Sequence, residues 1–207
     1  MTDLSVRKKL ATYKPAHKVR IVTAASLFDG QDASINIMRR ILQSMGAEVI
    51  HLGHNRSVEE IVDAAVQEDV QAVAVSSYQG GHLEFFRYLV DLLRQRGAGH
   101  VRVYGGGGGV IIPSEIVELE AYGVARIFSP ADGARLGLAR MVNQIIEECD
   151  VDPLSTGPAV SADAVYTGDA LGLARMITAL ELGAVDESTR AEIAGAAVAR
   201  QVPVLGI

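Results

Sequence analysis

Between residue 19 and about residue 150, short runs of β-branched and other apolar residues alternate with longer segments of helical periodicity. The five strand-like runs lie at 19–24, 48–52, 71–76, 101–104 and 125–129. The segments that follow them carry apolar residues spaced by three and four positions, which is typical of amphipathic helices. Repeated β/α units of this kind predict an α/β fold: a doubly wound, five-stranded parallel sheet of the flavodoxin-like Rossmann type.

The two ends of the chain differ in composition from the β/α units, which make one domain at 19–150. Residues 1–18 are predicted to be a basic flexible leader, because the first twenty residues carry six Lys and Arg against Asp3 alone. Residues 151–162 are rich in Pro, Gly, Ser and Thr, as a linker would be. A helical segment follows at 163–207. Within it we expect two helices and a final strand, at about 169–182, 187–200 and 202–207.

The charges and the cysteine content restrict the function classes. The net charge is −6 and the first twenty residues contribute about +5, so the rest of the chain, at about −11, offers no basic face to nucleic acid. Cys149 is the only cysteine, which excludes an intramolecular disulfide and fits a reducing compartment. No apolar run approaches the roughly 18 residues that span a bilayer, and the start lacks the centre of a signal peptide. We expect a cytoplasmic protein without nucleic acid or membrane partners.

Glycine is concentrated in the loops that follow the predicted strands. The chain has 21 glycines against ten aromatic residues. Residues 105–109 are five consecutive glycines after the fourth strand, and Gly80 with Gly81 follows the third. In an open parallel sheet these loops share the edge at which ligands bind, and missing Cβ atoms let a ligand approach the backbone. The sequence predicts a narrow ligand slot, with flexible turns as the alternative interpretation.

Three familiar ligand signatures are absent. The first β/α loop, 26–34, has no Gly-x-Gly-x-x-Gly pattern, and no Gly-Lys-Ser or Gly-Lys-Thr P-loop occurs in the chain. Asp29 and Asp32 suggest an acidic phospho-acceptor site of the receiver type, but the loop after the fifth strand, 129–133, has no lysine. The residues alone therefore indicate a slot without identifying its ligand.

The same loops carry a pattern that resembles a known family. Asp29, Gln31 and Ser34 stand at the positions of an Asp-x-His-x-x-Gly motif. Ser76-Ser77-Tyr78 and the glycine run that follows resemble Ser-x-Leu/Thr and Gly-Gly motifs. Together these motifs are typical of the cobalamin-binding domains of adenosylcobalamin-dependent mutases. More closely, the chain resembles the amino-terminal domain of the fused isobutyryl-CoA mutases, over 19–150 and on through the tail.

The resemblance implies a fold, a cofactor and partners. The fold would be a cobalamin-binding Rossmann domain and the cofactor adenosylcobalamin, whose dimethylbenzimidazole arm would leave cobalt and enter the glycine slot. In this family a GTP-binding chaperone domain and an acyl-CoA mutase barrel follow in the same chain, which implies a further domain beyond Ile207. The chain alone would bind the cofactor of an isomerase that rearranges acyl-CoA carbon skeletons, without catalysing the reaction.

Carried over by position, the resemblance also implies a set of cofactor-binding residues. Asp29 would accept a hydrogen bond from the cobalt ligand, Ser76 would contact the benzimidazole, and Tyr78 would line the slot. Ser129 and Pro130 would close its far side. The full set is Asp29, Gly30, Gln31, Asp32, Ser34, Ser76, Tyr78, Gly80, Gly81, Gly105, Gly106, Gly107, Gly108, Ser129 and Pro130.

Gln31 departs from the family at the position of the cobalt-ligating histidine. A neutral carboxamide is a weak ligand of transition metals compared with imidazole, and it offers Asp29 only an N–H donor. Gln31 is the candidate metal ligand, and the open alternatives are weak ligation by Gln31, a water molecule, or no lower ligand. His51, His54 and His82 are interpreted as structural or solvated histidines.

A free-standing cobalamin-binding module for sensing or carriage is the alternative function. Such a module would use the bound cofactor as a signal or cargo and would have no catalytic partner. The two hypotheses differ in the sequence they require beyond Ile207: a mutase would continue into a P-loop and a barrel, and a free-standing module would not.

Overall fold

Five parallel strands form the centre of the protein, whose residues 13–200 are described by a computed structural model, with side chains for 13–198. The strands are β1 Arg20–Ser26, β2 Glu48–Arg56, β3 Ala72–Ser76, β4 Arg102–Gly106 and β5 Arg126–Phe128. They pair in the order β2-β1-β3-β4-β5. This topology confirms the predicted doubly wound sheet. Most of the predicted leader and the predicted strand at 202–207 lie outside the described residues.

Helices follow the strands and cover both faces of the sheet. They are α1 Ala33–Ser44, α2 Val58–Gln67, α3 His82–Gln95, α4 Pro113–Tyr122, α5 Pro130–Leu136, α6 Leu138–Cys149, α7 Ala162–Thr167, α8 Ala170–Glu181 and α9 Glu187–Arg200, with a 3-10 helix at Pro153–Ser155. Helices α2, α3 and α4 pack on one face, and α1 and α6 on the other. A strand covered on both sides buries consecutive residues: Ile21 belongs to the apolar cluster under α1 and α6, and Val22 to the cluster under α2 and α3.

Helices α5 and α7 and the carboxyl-terminal residues of β1, β2 and β4 were not predicted from the sequence. Helix α5 begins inside the stretch predicted as a loop, because the Ser129 hydroxyl accepts the N–H of Asp132 in a capping box. Helix α7 begins within the predicted linker. Strand β4 extends through Gly105 and Gly106, which pair with β3 and β5. The first two of the five consecutive glycines are therefore strand residues, and the prediction that all five form a loop is wrong.

The carboxyl-terminal extension packs onto the sheet domain through α8. Helix α8 lies against α2. Its Arg175 is 1% exposed and donates hydrogen bonds to Asp69 Oδ1 and to the carbonyl oxygens of Pro153 and Pro158. One buried guanidinium thus joins the extension, the segment that precedes it and the loop before β3.

Asp150, just after α6, binds the segment that leads into β1. Its carboxylate accepts hydrogen bonds from the Tyr13 hydroxyl and from the backbone N–H groups of Ala16 and His17. These bonds join the start of the described chain to the end of the sheet domain.

Candidate functional site

Asp29 connects the loops at the point where the strand order reverses. In a sheet of this order the reversal lies between β1 and β3, and ligands bind at the carboxyl ends of the strands there. Asp29 is fully buried after β1. Its Oδ1 accepts the N–H of Gln31 at 2.8 Å, and its Oδ2 accepts the N–H of Tyr78 at 2.7 Å. The carboxylate therefore fixes the loop after β1 against the loop after β3.

Two further hydrogen bonds continue this connection across the sheet edge. The Ser26 hydroxyl at the end of β1 donates to Ser77 Oγ at 2.9 Å, and the Ser77 N–H donates to the carbonyl oxygen of Gly106 at 2.8 Å. The carboxyl ends of β1, β3 and β4 are thus held together by short polar contacts.

A cavity of about 220 Å³ lies beside these loops, between the sheet and helices α1 and α6. Nine of the predicted site residues line it, namely Ser34, Ser76, Tyr78, Gly105, Gly106, Gly107, Gly108, Ser129 and Pro130. Six predicted residues lie outside its lining: Asp29, Gly30, Gln31, Asp32, Gly80 and Gly81. The structure therefore brings the β3, β4 and β5 parts of the predicted site together around one cavity.

The apolar wall of the cavity was missed by the sequence analysis. It consists of Ile35, Met38 and Leu42 of α1, Tyr104 and Phe128 of the sheet, and Leu138, Met141 and Ile145 of α6. The residues from α1 and from α6 have the same i, i+3, i+7 spacing, which marks the apolar stripe of an amphipathic helix. That signal is present in the sequence, but only the strand order shows that both stripes face the same cavity.

Ser76 supplies an unpaired polar group among these apolar side chains. Its hydroxyl oxygen is buried and has no hydrogen-bond partner. Buried polar atoms in proteins are nearly always hydrogen-bonded, so an unpaired one that lines a cavity is a strong indication of a missing ligand partner. The Ser76 hydroxyl is therefore free to bond to a group that enters the cavity.

The glycines of the run 105–109 are required for different reasons. A Cβ on Gly105 would lie 2.5 Å from the Phe86 ring, in the core on the opposite face of the sheet. A Cβ on Gly107 would lie 2.2 Å from the carbonyl oxygen of Ser77, and one on Gly108 would lie 2.3 Å from the Tyr78 ring. The run therefore allows the β4 loop to approach the β3 loop closely, while Gly105 serves the core.

Tyr104 lies on the cavity-facing side of β4. Its hydroxyl donates to Glu148 Oε2 at 2.6 Å. Burial raises the pKa of the Tyr104 phenol, and the neighbouring Cys149 and Glu148 raise it further. Burial also raises the pKa of the Cys149 thiol to about 11. Both groups are neutral at physiological pH, so this part of the cavity carries no charge of its own.

Ser129 and Asp132 fix the loop on the β5 side of the cavity. Asp132 Oδ2 accepts hydrogen bonds from the hydroxyl and the N–H of Ser129, and the Arg135 guanidinium lies 3.0 Å from Oδ1. The Ser129 hydroxyl, then its N–H, then Arg135 lower the pKa of Asp132 to about 2. Ser129 therefore caps α5 with its hydroxyl and positions Pro130 at the cavity.

Gln31 has an exposed position just before α1. The backbone N–H of this residue is held by Asp29, while its side chain is at the surface. His51 is hydrogen-bonded to Thr23 Oγ1, and burial lowers its pKa. Among residues 13–198 no three His, Cys, Asp or Glu side chains are grouped so as to hold a metal ion.

A family model described as the B12 binding domain matches residues 19–139. This range contains all five strands and the loops at their carboxyl ends. The chain belongs to the B12-binding domain family. All of the predicted site residues lie within the matched range, as does the cavity lining apart from Met141 and Ile145 of α6.

Two curated relatives of this B12-binding domain are fused isobutyryl-CoA mutases. The chain is 59% identical over 215 residues to the one from Cupriavidus metallidurans, covering 100% of this chain and 20% of the relative. It is 62% identical over 202 residues to the one from Geobacillus kaustophilus, covering 94% and 18%. The B12-binding domain thus spans about a fifth of the length of these relatives, and the resemblance predicted from the loop motifs is confirmed.

A solved structure supports the fold assignment. The B12-binding domain is similar to a novel cobalamin-binding protein from Desulfitobacterium hafniense, with 25% identity, a TM-score of 0.51, and coverage of 64% of this chain and 59% of that protein. In the described part of the domain, no helix combines the length and the hydropathy needed to cross a bilayer.

Proposed function

We propose that this chain holds adenosylcobalamin as the cofactor module of an isobutyryl-CoA mutase, with the dimethylbenzimidazole arm of the cofactor inserted in the cavity. The observation that carries the proposal is the unpaired Ser76 hydroxyl in an apolar cavity at the carboxyl ends of the strands. A benzimidazole that has left cobalt is a flat apolar ring with one free ring nitrogen. Ser76 can donate to that nitrogen, which satisfies both groups.

The size of the cavity supports binding of an arm of the cofactor in an extended, base-off form. Its volume of about 220 Å³ is below the roughly 300–1,000 Å³ of pockets that enclose a whole drug-sized ligand. It therefore suits one bicyclic ring, while the much larger corrin ring stays outside, over the loops that contain Asp29 and Gln31. Gly107 and Gly108 add no side chain of their own to this side of the cavity.

We infer that Gln31 gives cobalt a weaker lower ligand than a histidine at this position would. The exposed side chain stands on the loop that would meet the corrin ring, and a carboxamide binds cobalt less well than an imidazole. Both oxygens of Asp29 already accept backbone N–H groups, so the loop is ordered without a ligating histidine. Cofactor affinity would then come from the cavity, with a weakly bound Gln31, a water molecule or no group below cobalt.

The module contributes binding and orientation to a reaction that is completed elsewhere in a longer protein. When bound, adenosylcobalamin supplies the radical chemistry of acyl-CoA carbon-skeleton rearrangement. The partners we propose are a GTP-binding chaperone domain and an acyl-CoA mutase barrel, because the fused mutases to which the chain is similar are about five times its length. The chain by itself is expected to have no mutase activity.

A spectral titration tests the proposal. Hydroxocobalamin or adenosylcobalamin is added to the wild-type chain and to Gln31→His, and the visible spectrum and co-elution are recorded. We expect both proteins to bind base-off cofactor, and only Gln31→His to show the spectrum of a histidine-ligated cobalt. Gln43→His, which places a histidine on the exposed surface of α1, is the control and should behave as wild type. Absence of binding by both the wild type and Gln31→His would refute the proposal.

A further inference from the structure

His82 joins the two loops that line the glycine side of the cavity. It is the first residue of α3, directly after Gly80 and Gly81, and it is 8% exposed. Its Nε2 lies 2.9 Å from Glu115 Oε2 in the first turn of α4, and its Nδ1 lies 3.3 Å from the carbonyl oxygen of Gln79. The imidazole therefore spans from the β3 loop to the helix that follows the β4 loop.

Glu115 extends this connection into the β4 loop. The same Oε2 atom accepts the N–H of Ile112 at 2.9 Å, which closes the amino-terminal end of α4. This N–H, with His82 as a second contribution, lowers the pKa of Glu115, so the carboxylate is ionised at neutral pH. A single carboxylate oxygen thus fixes both the imidazole of one loop and the backbone at the end of the other.

Both nitrogens of the His82 ring face hydrogen-bond acceptors. One acceptor is the Glu115 carboxylate and the other is the Gln79 carbonyl oxygen. A neutral imidazole has one N–H and one lone pair, so it can satisfy only one of them. The shorter contact is the one with Glu115, at 2.9 Å, and a hydrogen bond to this ionised carboxylate is charge-assisted.

The loops that His82 and Glu115 connect carry cavity-lining residues. Tyr78 precedes His82 by four residues, and Gly107 and Gly108 precede Ile112. Tyr78 packs directly on Gly108, and the Ser77 carbonyl oxygen packs on Gly107. The separation of the two loops therefore sets the shape of this side of the cavity, although neither His82 nor Glu115 lines it.

We propose that the His82–Glu115 pair is a positioning device that holds the β3 and β4 loops at the separation required for entry of the cofactor arm. The inference rests on the proposed function for its ligand, but its structural part, the coupling of the two loops, is independent of any ligand. His82 and Glu115 act through the loops and do not touch the cofactor.

Loss of the pair is expected to slow cofactor capture. Without the bridge the loops sample several separations, and the apparent affinity falls in proportion to the fraction of molecules with an open cavity. If this fraction falls to about a tenth, the association rate falls about tenfold. Dissociation changes little, because the inserted arm itself keeps the loops apart. A purely structural loss of stability would not produce this division between the two rates.

Stopped-flow mixing with hydroxocobalamin measures both rates for His82→Ala, Glu115→Ala and the double variant. We expect association to be about tenfold slower than in the wild type in each single variant. The double variant should associate at the same rate as the single variants, because either change alone breaks the same bridge. Tyr88→Phe is the matched control: it removes a hydrogen bond from α3 to Glu59 of α2, away from the cavity, and should leave both rates unchanged. Unchanged association in both single variants, or effects that multiply in the double variant, would overturn the inference.

Amide hydrogen exchange tests the part of the inference that does not depend on a ligand, the coupling of the β3 and β4 loops. The Val110 N–H donates to the Gly107 carbonyl oxygen within the β4 loop, and we expect it to exchange faster in His82→Ala than in the wild type. Glu115→Ala, which breaks the same bridge from its other side, replaces His82→Ala if that variant does not fold. Equal exchange would contradict the inference. If the Val110 N–H exchanges faster in His82→Ala but the wild type binds no cobalamin, the proposed function is refuted and the loop coupling is supported.

Discussion

Gly107 lies where the β4 loop packs closely against the backbone of the β3 loop. A Cβ at this position would lie 2.2 Å from the Ser77 carbonyl oxygen and 3.1 Å from Ile111. Because the nearest atom belongs to a buried backbone, it cannot move aside as the end of a flexible side chain could. We expect Gly107→Ala to lower the free energy of unfolding by about 1–3 kcal/mol, as overpacked positions do.

Urea denaturation measures this effect, with Gly80→Ala as the control. Gly80 lies in the neighbouring loop, has open space where a Cβ would go and has no positive φ. Its substitution should change the free energy of unfolding by less than about 0.5 kcal/mol. Equal effects of the two substitutions would show that the close approach at Gly107 is not what requires glycine.

Ser76 should behave in opposite ways in the free and the loaded protein. Its hydroxyl is buried without a partner, so Ser76→Ala removes an unsatisfied group, and we expect the ligand-free protein to gain up to about 1 kcal/mol of stability. Cobalamin binding should weaken, because the Ser76 hydroxyl is the group proposed to donate to the benzimidazole nitrogen. Urea denaturation and a spectral titration measure the two effects. Ser26→Ala, which removes a donated hydrogen bond to Ser77, should instead lose stability.

Among the elements, α8 is attached to the sheet domain partly through one buried guanidinium, that of Arg175. Arg175→Met leaves the Asp69 carboxylate, which is 4% exposed, without its cation, and removes the donors to Pro153 and Pro158. Breaking a buried ion pair in this way costs about 3–5 kcal/mol. We expect a loss of this size in urea denaturation. Arg190→Met, at an exposed position in α9, should change stability by less than about 0.5 kcal/mol, and an equal effect of both variants would contradict the account.

The elements that could be predicted from the sequence are those with a long, clear period. Helices α1 and α6 and the five strands were predicted, and so were the loops that meet at the carboxyl edge of the sheet. Helix α5 was missed because its seven residues begin with Pro130 and include Gly133, which are typical of a turn. The sequence does carry a helix-start signal here, because Ser129 stands three residues before Asp132 and Pro130 occupies the first helical position.

The cavity could be predicted only in part, for a related reason. Spacing along the chain located the residues of the loops, whereas the walls formed by Leu42, Tyr104 and Met141 depend on which helix covers which face. The strand order decides this, and no local pattern encodes it. The glycine run shows the same limit, because Gly105 and Gly106 are neighbours in sequence but point to opposite faces of the sheet.

At the scale of the whole molecule, contacts between distant parts of the chain lie away from the cavity. Asp150 binds residues 13–17, and Arg175 binds the loop before β3. Both sets of contacts lie at the amino-terminal edge of the sheet, whereas the glycine loops lie at its carboxyl edge. Because Asp150 does not line the cavity, a variant at this position can be used to measure the stability of the fold without altering the cavity lining.

Acid should weaken the protein partly through Asp150. Burial opposes ionisation of this carboxyl, but hydrogen bonds from the Ala16 N–H, the Tyr13 hydroxyl and His17 outweigh it and lower its pKa to about 2. The ordinary value in an unfolded chain is near 3.8. A lowered pKa stabilises the folded state above the unfolded value, and this contribution is lost as the pH falls through the folded value. The carboxylate therefore contributes about 2 kcal/mol above pH 5, which disappears between about pH 4 and pH 2.

Comparison of the wild type with Asp150→Asn isolates this contribution from the titration of other carboxylates. Urea denaturation at pH 7, 5, 4, 3 and 2 should give a difference in the free energy of unfolding of about 2 kcal/mol at the two highest values, shrinking towards pH 2. Asp63→Asn removes an exposed ion pair with Arg96, which is worth little, and should show no comparable pH-dependent difference. A difference between wild type and Asp150→Asn that stayed constant from pH 7 to pH 2 would mean that Asp150 acts through packing rather than through its ionised form.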